Sequence, residues 1–253
     1  MAENISSSVL LHFTKSMDCL KGILKNGFFP RYCPEYTLEP GDRRAASQRR
    51  PPMHAVPMVS FCDLPMSLIR KHLSEYGPYG IGVAKAWGLK SGVAPVIYTH
   101  QRAQTRRPVS RLTARAVRMG DEGAASDLKL LAAYTKPFLG PAWRERTRPR
   151  YQPRVRFYDE REWRYVPRLR GSDLFLRWAD YHDTSKRASL HEGLEKLALP
   201  VHPDFIMYLI LPDERSENNV MELHDCLMAL YDRKDAILVT STIMTVDCIH
   251  EDI

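Results

Sequence analysis

Cysteine is scarce and badly spaced for chemistry. The 253 residues hold five (Cys19, Cys33, Cys62, Cys226 and Cys248), an odd number with no Cys-x-x-Cys pair. A thiolate zinc site needs closely spaced pairs, and a disulfide scaffold needs a dense, even set, so neither is indicated and no metal is expected. Long apolar runs are missing too, and none approaches the ~20 residues of a membrane-spanning helix. The opening Met1-Ala2-Glu3-Asn4 has neither the basic flank nor the apolar stretch of a secretory signal. A reducing, cytoplasmic setting with no membrane partner is the expectation. Familiar enzyme signatures are also lacking. There is no Gly-x-x-x-x-Gly-Lys-Ser/Thr loop, no His-Glu-x-x-His helix, no Gly-x-Ser-x-Gly elbow and no dinucleotide fingerprint behind a strand.

Acidic residues are in deficit: 30 against 37 Lys and Arg, for a net charge of +7. The excess is concentrated. Arg102, Arg106, Arg107, Arg111, Arg115 and Arg118 lie in a segment without one acid, and Arg144, Arg146, Arg148, Arg150, Arg154 and Arg156 form a cluster diluted only by Glu145. Such clusters attract polyanions, nucleic acid among them, and a guanidinium fork grips two phosphate oxygens at once. Solvated loop charge serving solubility is the competing reading for either cluster.

What is present reads as an α+β chain of short strands between helices. Residues 8–13 suit a strand that delivers His12 to its end. Ser16 then caps a helix over 17–26, with Leu20, Ile23 and Leu24 on one face and Gly27 closing it. Phe28 to Tyr36 is an ordered loop or edge strand, and Glu39 to Pro52 a mobile loop. Pro57 to Asp63 is a short strand, with Asp63 capping a helix over 64–73; strands follow at 81–84 and 95–99. The 102–118 segment suits a helix, as does 126–134. An Arg- and Pro-rich loop runs to Pro153, 156–166 suits a charged strand, and 172–198 is mainly helical. The chain closes with a strand over 205–211, a helix over 220–231 with Met221, Leu227 and Leu230 inward, and a strand at Ala236–Val239. No repeat and no firm boundary is visible, so one domain over 1–253 is expected, with an Arg-rich insertion around 100–155.

The strongest chemical signal is Glu160-Arg161-Glu162-Trp163-Arg164. On a strand, Glu160, Glu162 and Arg164 share one side. Two carboxylates so placed repel each other unless a cation or substrate hydroxyls separate them. A salt-bridged edge strand is the alternative.

Separated motifs then resemble the AbiGi family of abortive phage resistance proteins, nominally the antitoxin of the AbiG pair. They are His12-Phe13-Thr14 with its helix, Pro57 through Pro65, Tyr76-Gly77-Pro78-Tyr79-Gly80-Ile81-Gly82, Glu160 through Tyr165, and the closing Leu238 to Asp252. More widely, a strand-borne His-aromatic-Thr, a Ser-Phe strand and a late Glu strand resemble ADP-ribosyltransferases of the DarT type. That resemblance implies a split mixed sheet clasping NAD as substrate. It implies that His12 and Thr14 hold the adenosine side, that Ser60 and Phe61 form the second motif, and that Tyr76 or Tyr79 stacks on nicotinamide. Glu162 would be the catalytic glutamate and Glu160 its acceptor-orienting partner. The bond broken would pass through an oxocarbenium-like state that a carboxylate stabilises. The resemblances leave two functions open: an NAD-dependent transferase acting on nucleic acid in phage defence, or a catalytically silent antitoxin that binds a partner toxin or nucleic acid.

Overall fold

Val9, Leu10 and Leu11 are consecutive apolar residues, a pattern for a strand covered on both faces, and all three are buried. They open β1 (Val9–Thr14) in a computed structural model that describes residues 7–36, 53–100, 103, 106–144, 150–169, 174–212 and 217–251. Helix α1 (Met17–Asn26) follows, then β2 (Arg31–Tyr36), β3 (Met53–Cys62), α2 (Arg70–Tyr76), β4 (Tyr79–Ala84) and α3 (Lys85–Lys90). Next come β5 (Ala94–Pro95), β6 (Ile97–Thr99), α4 (Arg106–Met119), α5 (Glu122–Ala133) and β7 (Thr135–Pro137). Then follow β8 (Leu139–Arg144), β9 (Arg150–Arg156), β10 (Glu162–Tyr165), β11 (Leu176–Arg177), α6 (Trp178–His182) and α7 (Thr184–Glu195). The chain ends through β12 (Ile206–Leu211), α8 (Glu217–Leu230), α9 (Arg233–Thr240), β13 (Ile243–Thr245) and α10 (Val246–Glu251). The class is α+β with mixed sheet pairing, and the Glu39–Pro52 loop lies outside the described residues.

Two compact units form, each from separated pieces of chain. The first comprises residues 1–29, 60–94 and 198–253. Here β1 pairs antiparallel with β4 from Val9↔Ala84 to Thr14↔Tyr79, β4 pairs antiparallel with β12, and β12 pairs parallel with β13. Leu11 also meets Cys62, at the end of β3. The core gathers Val9, Leu11, Leu64, Ile69, Leu73, Ile210 and Ile249. Ser16 accepts a hydrogen bond from Cys19 N–H, so the expected helix over 17–26 forms with the expected cap.

The second unit comprises residues 30–59 and 95–197. β2 runs antiparallel to the first part of β3, from Arg31↔Met58 to Tyr36↔Met53, and β11 pairs with β3 at Ala55 and His54. β6 and β7 pair in parallel, and β8 and β9 form an antiparallel hairpin. Helices α4 and α5 pack on each other.

Four local expectations are corrected. Asp63 caps no helix: its carboxylate pairs with Lys85 Nζ at 2.9 Å, and a 3-10 turn at Met66–Leu68 precedes α2. The loop expected up to Pro153 is instead the β8–β9 hairpin, because backbone pairing overrides a polar composition. Ala236–Val239 is helix, not strand. Asp232 accepts from Asp235 N–H, and burial of Ala236 and Val239 with exposure of Ile237 and Leu238 follows the helical period. In α8 the inward residues are Leu223 and Leu227, while Met221 is 63% exposed.

Candidate functional site

The expected charged strand over 156–166 is split. Phe157–Glu160 forms a 3-10 turn, Arg161 takes a left-handed conformation (φ 41°), and only then does β10 begin. The break leaves Glu160 and Glu162 on one partner. Lys136, carried by β7, places Nζ 2.7 Å from Glu160 Oε2 and 2.5 Å from Glu162 Oε2, with Glu35 Oε1 at 3.7 Å. From the next inward position of β10, Arg164 donates through Nε to Glu162 Oε1 at 2.7 Å and through Nη2 to Glu35 Oε1 at 2.5 Å. Its remaining nitrogen, Nη1, donates to the Ala133 carbonyl at 2.7 Å. Arg164 is 0% exposed, and Glu160 and Glu162 are 6% exposed. The backbone around Glu162 is pinned as well: its N–H donates to the Tyr98 hydroxyl and its carbonyl accepts from Val96 N–H.

Burial alone would raise the Glu162 pKa, but Arg164 and Lys136 outweigh it and hold the carboxyl well below its ordinary range. Burial would likewise lower Lys136, yet Glu160, Glu162 and Glu35 hold it above 10.5. The signs fix the pH behaviour. Glu162, depressed in the fold, contributes stability that is present above its unfolded value near 4.5 and lost as pH falls through the folded value. Lys136, raised in the fold, contributes below 10.5 and loses that only at still higher pH. Urea midpoints should therefore be steady across neutral pH and drop below about pH 4.5, and Glu162→Gln should flatten that drop.

The other site residues expected from sequence lie in the first unit, in two groups. His12, Ser60 and Phe61 come together: His12 Nδ1 lies 2.8 Å from the Ser60 carbonyl, and its ring is 5.7 Å from Phe61 and 5.2 Å from Phe28. A carbonyl only accepts, so Nδ1 carries the proton and neutral His12 presents Nε2 as an acceptor. Burial lowers its pKa, against the Ser60 bond, which favours that neutral form. Thr14 and Tyr79 are register partners in β1 and β4, and Tyr76 ends α2 against His72. Two members of the cluster, the cation Lys136 and the third carboxylate Glu35, were not singled out in the sequence. The only signal for Lys136 was the need for a cation between two carboxylates of one face. Among the described residues, no three His, Cys, Asp or Glu side chains are grouped to hold a metal ion. No helix among them is long and apolar enough to cross a membrane.

Comparison with known proteins adds the family. The abortive phage resistance protein AbiGi of Lactococcus lactis subsp. cremoris is 27% identical over 164 residues, covering 58% of this chain. The chain covers 64% of that relative, a little under two thirds of its length. No solved structure matches. Residues 26–212 match the family model described as "Putative abortive phage resistance protein AbiGi, antitoxin", so the chain belongs to the AbiGi family.

Proposed function

We propose that this chain acts as the antitoxin component of an abortive-infection pair, by binding a partner toxin rather than by catalysis. The observation that carries this reading is the closed state of the glutamate cluster. Both oxygens of Glu162 are held by cations, Glu160 is held by Lys136, and Arg164 spends Nε, Nη1 and Nη2 inside the cluster. A carboxylate that stabilises a ribosyl cation must offer an oxygen to a substrate hydroxyl, whereas these oxygens stabilise their own scaffold. In this arrangement neither Glu162 oxygen is left without a cation, so binding a ribose hydroxyl there would first have to displace Arg164 or Lys136.

A second reading keeps the transferase. Two observations favour it: a buried carboxylate with perturbed proton affinity, here Glu162, is a common mark of functional sites, and His12 presents an acceptor nitrogen beside Phe61. In that reading Glu162 is the catalytic carboxylate, Glu160 orients the acceptor, and a nucleic acid is that acceptor. One experiment separates the two. Purified protein is incubated with labelled NAD and with DNA or RNA, alongside Glu162→Gln, and pull-down of the co-expressed AbiG-pair toxin is scored for both forms. The antitoxin reading expects no transfer and toxin capture by both folded forms. Transfer that disappears in folded Glu162→Gln would overturn it.

A further inference from the structure

The helix α4 packs by a side of small residues and turns a row of arginines outward. Its inward side is small: Thr113 and Ala116 are buried, and Thr113 turns its hydroxyl back to the Val109 carbonyl. Its outward side carries Arg111, Arg115 and Arg118, spaced i, i+4 and i+7, so they form one stripe roughly 10 Å long. All three are exposed. None of the three makes an ion pair or hydrogen bond among the described residues, whereas Arg156 and Arg177, exposed elsewhere in the same unit, are paired with Asp159 and Asp180. Beside the stripe, Leu112 is 51% exposed and Met119 is 69% exposed. At 100° per residue these two lie on the flank next to Arg115, which gives an apolar rim along a cationic ridge.

We propose that this ridge docks an acidic, apolar-edged protein surface, and that the surface belongs to the partner toxin. The inference rests on the antitoxin reading and adds the place and chemistry of contact. Charge complementarity decides the partner's sign: three guanidinium groups without an acid among the described residues, on a helix that carries none, ask for carboxylates. The rim decides between a protein and a nucleic acid. Leucine and methionine gain nothing from a phosphate backbone but lose exposed area against a protein, and protein interfaces are enriched in arginine and methionine. The helix has five arginines and no lysine, which suits fixed bidentate pairing over diffuse attraction.

The test uses the full chain and the toxin of the AbiG pair, with a 20-base-pair DNA duplex and a 20-nucleotide RNA as competing probes. Arg111→Glu/Arg115→Glu/Arg118→Glu should fold as the wild type does by circular dichroism and weaken toxin binding by tenfold or more, since reversed charges oppose docking. Leu112→Ser/Met119→Ser should weaken it with little change in salt dependence. Toxin binding unchanged by the triple reversal would overturn the ridge and leave the antitoxin reading standing. No binding of the toxin by wild-type protein would overturn the antitoxin reading and this inference with it. Duplex or RNA binding that the reversal abolishes while toxin binding persists would assign the ridge to nucleic acid instead.

Discussion

Lys136→Met is expected to cost about 3–5 kcal/mol of folding stability, the range for removing one partner of a buried ion pair. The lysine contacts all three carboxylates of the cluster, and its ammonium also lies 4.6 Å from the centre of the Phe157 ring. Methionine fills much the same volume, so the cost is electrostatic rather than a cavity. Without Nζ, Glu160 loses its Lys136 ion pair and lies beside Glu162 in a site almost closed to water. One of the two must then take a proton or draw in water. The sign of the pH dependence follows. Protonation relieves the variant, so its deficit against wild type should shrink as pH falls from 7 towards 5. The measurement is the urea midpoint at both pH values, with the slope checked for constancy. A variant as stable as wild type at pH 7 would mean that the cluster is hydrated and open, which would return weight to the transferase reading.

The sequence made the glutamate cluster half visible, and the missing half has a physical explanation. Period-two alternation puts Glu160, Glu162 and Arg164 on one side, and in the structure all three are buried in one network. It could not show the turn at Phe157–Glu160 or the left-handed Arg161, because neither has a glycine or proline to announce it. Lys136 and Glu35 are 24 and 129 residues away from their respective partners Glu160 and Arg164. Local pattern carries no information on such pairings. The helix α1 shows the opposite case, since Ser16, the Leu20–Leu24 face and Gly27 are all local signals and its bounds fall where they point. Ala236–Val239 misled because a four-residue apolar run fits a strand and a helix equally. The Asp232 cap and the burial of residues three apart decided for helix. Membership of the AbiGi family was legible in the spelling of several motifs, while the arginine ridge of α4 was legible only as charge.

Gly77→Ala should be nearly as damaging as loss of Lys136, on the order of 3 kcal/mol, and for a purely steric reason. Gly77 ends α2 by donating its N–H to the Leu73 carbonyl, and it adopts φ +138°, a conformation that L side chains rarely take. A Cβ there would sit 2.2 Å from the Thr14 carbonyl oxygen and 2.8 Å from Lys15 Cα. Both are backbone atoms at the end of β1, so no rotamer change can yield the space. Gly92→Ala is the control: φ is +79°, but nothing lies within 4 Å of the added carbon, so it should pay only the left-handed backbone cost of about 1–2 kcal/mol. The difference between the two variants in thermal or urea unfolding isolates the close approach of the Tyr76–Tyr79 turn to Thr14. Equal losses would mean that the turn can move away from β1 at little cost. In that case Thr14, Tyr76 and Tyr79 could not be held as one fixed surface for a nicotinamide ring, and the transferase reading would lose half of its binding wall.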